Sequence, residues 1–227
     1  MSTLTAPRRK APIALRSVPF YRDVNTSRRE TVTKVLGRSI DTSELPKHVR
    51  LAIGKLMLAE KVCVEMSRNN ELMGYLEKLI LEGAQQEPKR SHCVATLPEV
   101  LHQVCKSMGL EDHQIFEQFP FRTIFDKSRH RCSYRSSWRR HNYCNCPWDQ
   151  WAFCIAKAFY EMLKNRASSV LHIPKATLIF GFLVRSFAFL PLTQWTDAGS
   201  LRFESYTNPH RTGSALVFVI RPLEAIL

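Results

Sequence analysis

A mixed α/β fold is what this 227-residue sequence predicts, and three stretches carry the prediction. In RNNELMGYLEKLI (68–80), Leu72, Tyr75, Leu76, Leu79 and Ile80 recur at i, i+3, i+4, i+7 and i+8, the apolar stripe of an amphipathic helix. In KVCVEM (61–66), Val62, Val64 and Met66 fall on one side of an alternating pattern, as in a short strand. SLRFESY (200–206) and SALVFVI (214–220) read as two strands, and TNPHRTG between them punctuates a turn with Asn-Pro and Gly.

The elements follow in order. Residues 1–45 show no sustained periodicity and carry basic pairs at Arg8-Arg9 and Arg28-Arg29, which predicts an extended basic arm. ELPKHVRLAIGKLMLAEK (44–61) predicts a helix, with Pro46 at its start and Val49, Ile53 and Leu56 on one face. The striped helix comes next. Asn69 or Asn70 serves as its N-cap, Glu71 suits its positive end, and Gly83 falls just past its last turn. Burying each stripe residue is worth about 1.5–3 kcal/mol before entropy. TLPEVLHQVCKSMGL (96–110) and DQWAFCIAKAFYEMLKNRA (149–167) predict two more helices, and KATLIFGFLVRSFAFL (175–190) another buried element.

Charge narrows the function. Lys and Arg exceed Asp and Glu by 13, a surplus that suits a polyanion, nucleic acid before anionic membrane. The longest apolar run (178–192) carries Arg185 and ends on Pro191 and Leu192, so no membrane span is expected. The first 22 residues hold five Arg or Lys and no acid, a composition shared by mitochondrial transit peptides and by basic arms that lie on RNA. Seven cysteines, an odd number, speak against a secreted disulfide framework. There is no phosphate-cradling glycine loop, no GxSxG and no HExxH, and only 8 glycines. Glu60, Glu65, Glu71 and Glu77 read as a solvated face, so no enzyme and no small-molecule substrate are expected.

Two constellations fall between residues 121 and 154. Arg129, Arg131, Arg135, Arg139 and Arg140 surround Tyr134, Trp138 and Tyr143. Arginine takes phosphates with a planar fork and aromatics stack on unpaired bases, so RNA explains both residue classes together. His130, Cys132, His141, Cys144 and Cys146 lie within 17 residues. Cys132, His141, Cys144 and Cys146 form one possible tetrahedral structural zinc set, and reduced thiols with RNA-facing histidines form the other reading. No other cofactor is expected.

RLAIGKLMLAEKVCVEMSRNNELMGYLEKLI (50–80) resembles, without a gap, the core of the bacterial-type large-subunit ribosomal protein family number seventeen, in its organellar branch. Arg50, AEKV, Arg68, Glu71 and GYLEKLI fall on the family's pattern, and KVLGRS (34–39) is similar to its Leu-Gly-Arg element. The closing segment 190–220 is similar too, with Pro191, Gly199, Arg202, NPHR and LVFVI on matching positions. The arm is less densely basic than the family's, and a large insertion separates the two matched blocks.

The resemblance implies a two-layer α/β (α+β) domain with a small mixed sheet, a basic N-terminal extension and a large, mostly helical insertion. Its parts would be the arm (1–45), the first half of the core (46–95), the Cys/Arg-rich insertion (96–180) and the second half with a C-terminal hairpin (181–227). The expected role is a structural constituent of the mitochondrial ribosome's large subunit, in the matrix, with a plastid as the minor alternative. It would bind large-subunit rRNA near the exit-tunnel side, among neighbouring large-subunit proteins. The expected RNA contacts are Arg8, Arg9, Lys10, Arg28, Arg29, Lys34, Arg38, Lys47, Arg50, Arg68, Arg135, Arg139, Arg140, Arg202, His210 and Arg211. The rival expectation is a free-standing RNA-binding or RNA-processing factor with a zinc module in residues 121–154.

Overall fold

The computed structural model describes residues 46–89, 94–95, 98–119, 126–145, 147–174, 193–197, 204–205 and 214–221. Two units divide the chain, 1–54 and 55–227. Of the first, only 46–54 are described: the opening of helix α1 (Lys47–Arg68), where the Pro46 carbonyl accepts from the Arg50 amide at 3.1 Å. Lys47, His48, Arg50 and Leu51 are exposed there.

The strand expected over 61–66 is helix, part of the unbroken run to Arg68. Its residues fit both periods, because Ala59, Val62, Cys63 and Met66 also stand at i, i+3, i+4 and i+7. Ala59 and Cys63 are buried in the core, with Val62 and Met66 packed against it. No proline or glycine between Lys55 and Arg68 interrupts the hydrogen-bond ladder, so the helical period prevails.

Helix α2 (Asn70–Gln85) begins as expected on Asn69, whose side chain accepts from the Leu72 amide at 3.0 Å. Leu76 and Ile80 are buried, while Leu72 and Leu79 pack at the margin of the core. Tyr75 departs from the expected stripe and is 60% exposed. Gly83 is no terminator. The helix runs two residues beyond it, and Gly83 is buried where α2 meets Tyr134 and Phe153.

The remaining described elements are β1 (Val94–Ala95), α3 (Pro98–Ser107), β2 (Phe116–Gln118), α4 (Lys127–Arg135), β3 (His141–Cys144), α5 (Trp151–Asn165), β4 (Ser168–Pro174), β5 (Thr193–Asp197), β6 (Glu204–Ser205) and β7 (Ser214–Val219). The helices expected at 96–110 and 149–167 are therefore present as α3 and α5. The main sheet has five strands in the order β2-β3-β4-β7-β5. β2, β3 and β4 are parallel, and β7 runs antiparallel to both β4 and β5, so the sheet is mixed as expected. Parallel neighbours require crossovers, and α4 and α5 supply them in two successive βαβ units. Helix α5 has nine buried residues between Cys154 and Leu163 and lies against α2, β4 and β7. A helix apolar on nearly all sides must be central, and α5 is.

Two expectations change. Alternation along the strands sends Cys144, Leu171, Ile173, Val217 and Val219 to one face, under α2, α4 and α5. Tyr143, Val170 and Leu216 go to the other face, under Val100, Val104 and Cys105 of α3. Both faces are apolar and both are covered, so the fold has a third layer instead of two. The segment 96–180 holds more helix than strand among its described residues, and it is also part of the sheet, supplying three of the five strands. Finally, β6 and β7 do not pair with each other as a hairpin. β6 pairs with β1, through Val94↔Ser205 and Ala95↔Glu204, because β7 already has partners on both edges. The buried element expected at 175–190 and the turn at 207–213 lie outside the described residues. No helix among the described residues is long and apolar enough to cross a membrane.

The two glycines of α2 should respond in opposite ways to alanine. A Cβ on Gly74 meets nothing within 4 Å, whereas one on Gly83 would lie 2.7 Å from Phe153 Cβ and 2.9 Å from the Tyr134 ring. Gly74→Ala should stabilise by about 0.5–1 kcal/mol through helix propensity. Gly83→Ala should destabilise by about 1–3 kcal/mol through overpacking. Thermal unfolding of the two variants checks this, at about 2–4 °C per kcal/mol for a chain of this size.

Candidate nucleic-acid interface

The basic-aromatic stretch folds into α4 and the loop that leads to β3. Asp126 caps α4, accepting from the amides of Ser128 at 2.9 Å and Arg129 at 3.1 Å. The helical period then sorts the side chains. His130, Ser133 and Tyr134 turn inward, while Lys127, Arg129, Arg131 and Arg135 stay exposed. In the loop Trp138 is buried and Arg139 and Arg140 are exposed. The aromatics expected to stack on bases are core residues: Tyr134, Trp138 and Tyr143 are 1%, 5% and 0% exposed. Tyr134 packs on Phe119 with ring centroids 4.8 Å apart, and the Trp138 indole N–H donates to the Ser133 carbonyl at 2.7 Å. Their apolar area is what anchors this basic segment to the protein.

The exposed cations differ in how far they are neutralised. Lys127 pairs with Glu87, and Arg129 lies 3.4 Å from the Asp126 carboxylate. The guanidinium groups of Arg131 and Arg135 have no hydrogen-bond or ion-pair partner among the described residues. Their backbone positions lie one turn apart at i, i+4, about 6 Å along the helix axis, so both side chains leave the same face of α4. Arg139 lies over the Phe116 ring, 4.5 Å from its centroid. Six cations and one carboxylate thus occupy residues 126–140.

Three buried polar networks hold this surface in place. Glu161 on α5 is 1% exposed, and its carboxylate accepts from Lys157 Nζ at 2.5 Å, the Trp138 amide at 3.1 Å and Asn165 Nδ2 at 2.6 Å. Lys157, itself 3% exposed, also donates to the Ser136 carbonyl at 2.8 Å. The pair therefore grips both sides of residue 137. Further along, Asn142 Nδ2 donates to the carbonyls of Arg139 at 2.6 Å and Ser168 at 3.1 Å, while its Oδ1 accepts from Gln118 at 3.1 Å. Under α4, the Gln150 carbonyl oxygen accepts from His130 Nε2 at 2.7 Å and from the Tyr134 hydroxyl at 3.2 Å. An acceptor at Nε2 requires the His130 tautomer that carries its proton there. Burial holds the His130 pKa below the ordinary imidazole value, against the opposing pull of the Gln150 bond.

The other expected contacts are dispersed. Lys47 and Arg50 are exposed in the first unit. Arg68 is exposed at the end of α1 and lies 3.7 Å from Glu65. Arg8, Arg9, Lys10, Arg28, Arg29, Lys34, Arg38, Arg202, His210 and Arg211 lie outside the described residues. Glu60 does not belong to a solvated face: its carboxylate accepts from Arg221 Nε at 3.1 Å to each oxygen, a largely buried pair that joins α1 to the end of β7.

The zinc set is not assembled among the described residues. Cys132 is exposed on α4. His141 and Cys144 are three apart on β3 and so leave it on opposite faces. Cys144 is buried in the core, His141 Nδ1 is 2.7 Å from Ser168 Oγ, and Cys146 lies outside the described residues. Among the described residues no three His, Cys, Asp or Glu side chains are placed to hold a metal ion. Burial pushes the thiols of Cys63 and Cys105 up to about 11, with Glu60 and Asp112 adding to the effect, so both are un-ionised at neutral pH.

Phe116, Asn142, Lys157 and Glu161 were not singled out from the sequence. Lys157 and Glu161 did leave a signal there, as an i, i+4 pair of opposite charge inside the apolar run WAFCIAKAFYEML. No family model, no curated protein and no solved structure matches the chain.

Truncating one member of the buried pair strands the other. Lys157→Met and Glu161→Leu should each cost about 3–5 kcal/mol, and the double variant less than the sum of the two. Denaturant unfolding in a double-mutant cycle reads this directly. For His130, the unfolded chain takes up its proton near the ordinary imidazole pKa and the folded chain only at lower pH. Its contribution is therefore complete above about pH 6.5 and is lost as the pH falls below that value. The unfolding midpoint should decline on acidification through this range, and His130→Gln should flatten the decline.

Proposed function

We propose that the chain is a structural constituent of the large subunit of the mitochondrial ribosome, where it holds rRNA near the exit-tunnel side. One observation carries the RNA reading. The arginines of residues 126–140 are outside and the aromatics of the same stretch are inside. Such a surface recognises phosphate, and phosphate recognition reads the shape of folded RNA and not its base sequence. The resemblance of residues 50–80 to the large-subunit family supplies the ribosomal part of the reading. The mitochondrial part rests on the insertion, the seven cysteines and the acid-free N-terminal 22 residues.

A free-standing factor that strips and stacks single-stranded RNA on Tyr134, Trp138 and Tyr143 is disfavoured, since all three rings are buried. The two readings separate by sedimentation. A ribosomal constituent stays with the large-subunit peak in high salt, and a free factor leaves it. Changing Arg38, Arg50 and Arg68 together to Glu should reduce incorporation into large subunits, and normal incorporation would sink the assignment of those contacts. In binding assays on folded RNA, Arg131→Gln with Arg135→Gln should weaken affinity and lower the slope of log K against log salt by about 1.4–1.8, two phosphate contacts' worth.

A further inference from the structure

The geometry points to a seat for one unpaired nucleotide at Phe116 and Arg139, and the inference rests on the RNA reading above. Among the described residues, Phe116 is one of the few large apolar side chains left open, 40% exposed, and it sits on β2, an edge strand of the main sheet. The register pairs Phe116 with Asn142, so the chain entering β3 passes beside the Phe116 ring. Asn142, fully buried, then draws in the Arg139 carbonyl at 2.6 Å. These two constraints fix Arg139 from the backbone side and leave its guanidinium over the ring at 4.5 Å.

A guanidinium stacked on an aromatic ring is a plane with a second face. It holds a nucleobase by the same dispersion and cation–π attraction that holds it to the ring. The neighbouring cations decide the occupant. Arg140 follows directly and Arg135 closes α4 four residues earlier, both exposed, so a planar group bound here sits among phosphate-binding charges. A nucleotide satisfies both requirements. Stacking on Arg139 engages the face that every base has, so the seat selects an unpaired nucleotide without selecting its identity.

The test uses the purified full chain and two hairpin RNAs, identical except that one carries a single bulged 2-aminopurine. The bulged hairpin should bind about fivefold more tightly, the lower end of what one stacked base contributes, and its fluorescence should fall on binding. Arg139→Lys keeps the charge and removes the plane. It should abolish the preference and the fluorescence change, and the preference, as a ratio of the two hairpins' affinities, reads the seat apart from any phosphate binding they share. Phe116→Ala should act likewise, and Phe116→Trp should retain the preference. An equal preference in wild type and Arg139→Lys overturns the seat and leaves phosphate binding intact. Failure of the wild type to bind either hairpin at low salt overturns the RNA reading and the seat with it.

Discussion

The carboxylate of Glu161 lies where water does not reach it, and the candidate interface depends on how that problem is solved. A buried carboxylate costs several kcal/mol unless hydrogen bonds and an opposite charge replace its hydration. Lys157, one turn away on the same helix, supplies the charge, and Asn165 and the Trp138 amide supply further donors. Lys157 also takes the Ser136 carbonyl, so satisfying the pair means closing the α4–β3 loop onto α5. Trp138 is thereby buried, and the next two residues, Arg139 and Arg140, are left outside. The exposed arginines and the buried ion pair are two sides of one constraint. Replacing the pair with apolar residues need not cost much in free energy, but it would leave the loop without a stated address.

The sheet joins segments far apart in the chain. Its parallel half, β2-β3-β4, comes from residues 116–174, and its antiparallel half, β5 and β7, comes from residues 193–219. β4 is the seam, parallel to β3 on one edge and antiparallel to β7 on the other. A strand with partners on both edges and apolar residues on both faces reads as a continuous buried run, and Ser168 to Ile173 is buried throughout. The segment that looked like an insertion between two matched blocks thus contributes the central strand and the central helix. The closing strands depend on it for hydrogen bonds, through the pairing of β7 with β4.

For the proposed RNA role, the inversion of the aromatic residues matters more than their number. With Tyr134, Trp138 and Tyr143 inside, the surface they hold up is a field of arginines, suited to backbone contacts that fade with salt. Phe116 offsets this at one place, where the sheet edge brings an open ring under Arg139. In the assembly role proposed above, the partner RNA would be already folded and held by its shape.

Sequence alone determined the local features. The N-cap at Asn69, the helices α2, α3 and α5, the presence of strands near 204 and 214–219, and the clustering of positive charge in 126–140 all follow from nearest-neighbour chemistry along the chain. Only the tertiary structure decided what depends on distant residues. Six residues from Lys61 fit either period, and the core that Ala59 and Cys63 enter, with Val62 and Met66 against it, settled them as helix. Glu60 looks solvated until Arg221, 161 residues away, arrives beside it. Tyr134 and Trp138 look like stacking residues until Phe119 and α5 give them a core to enter. The physical reason is common to all of them. Periodicity and capping are written within a few residues, whereas burial and charge pairing are set by surfaces that meet only after the chain has closed.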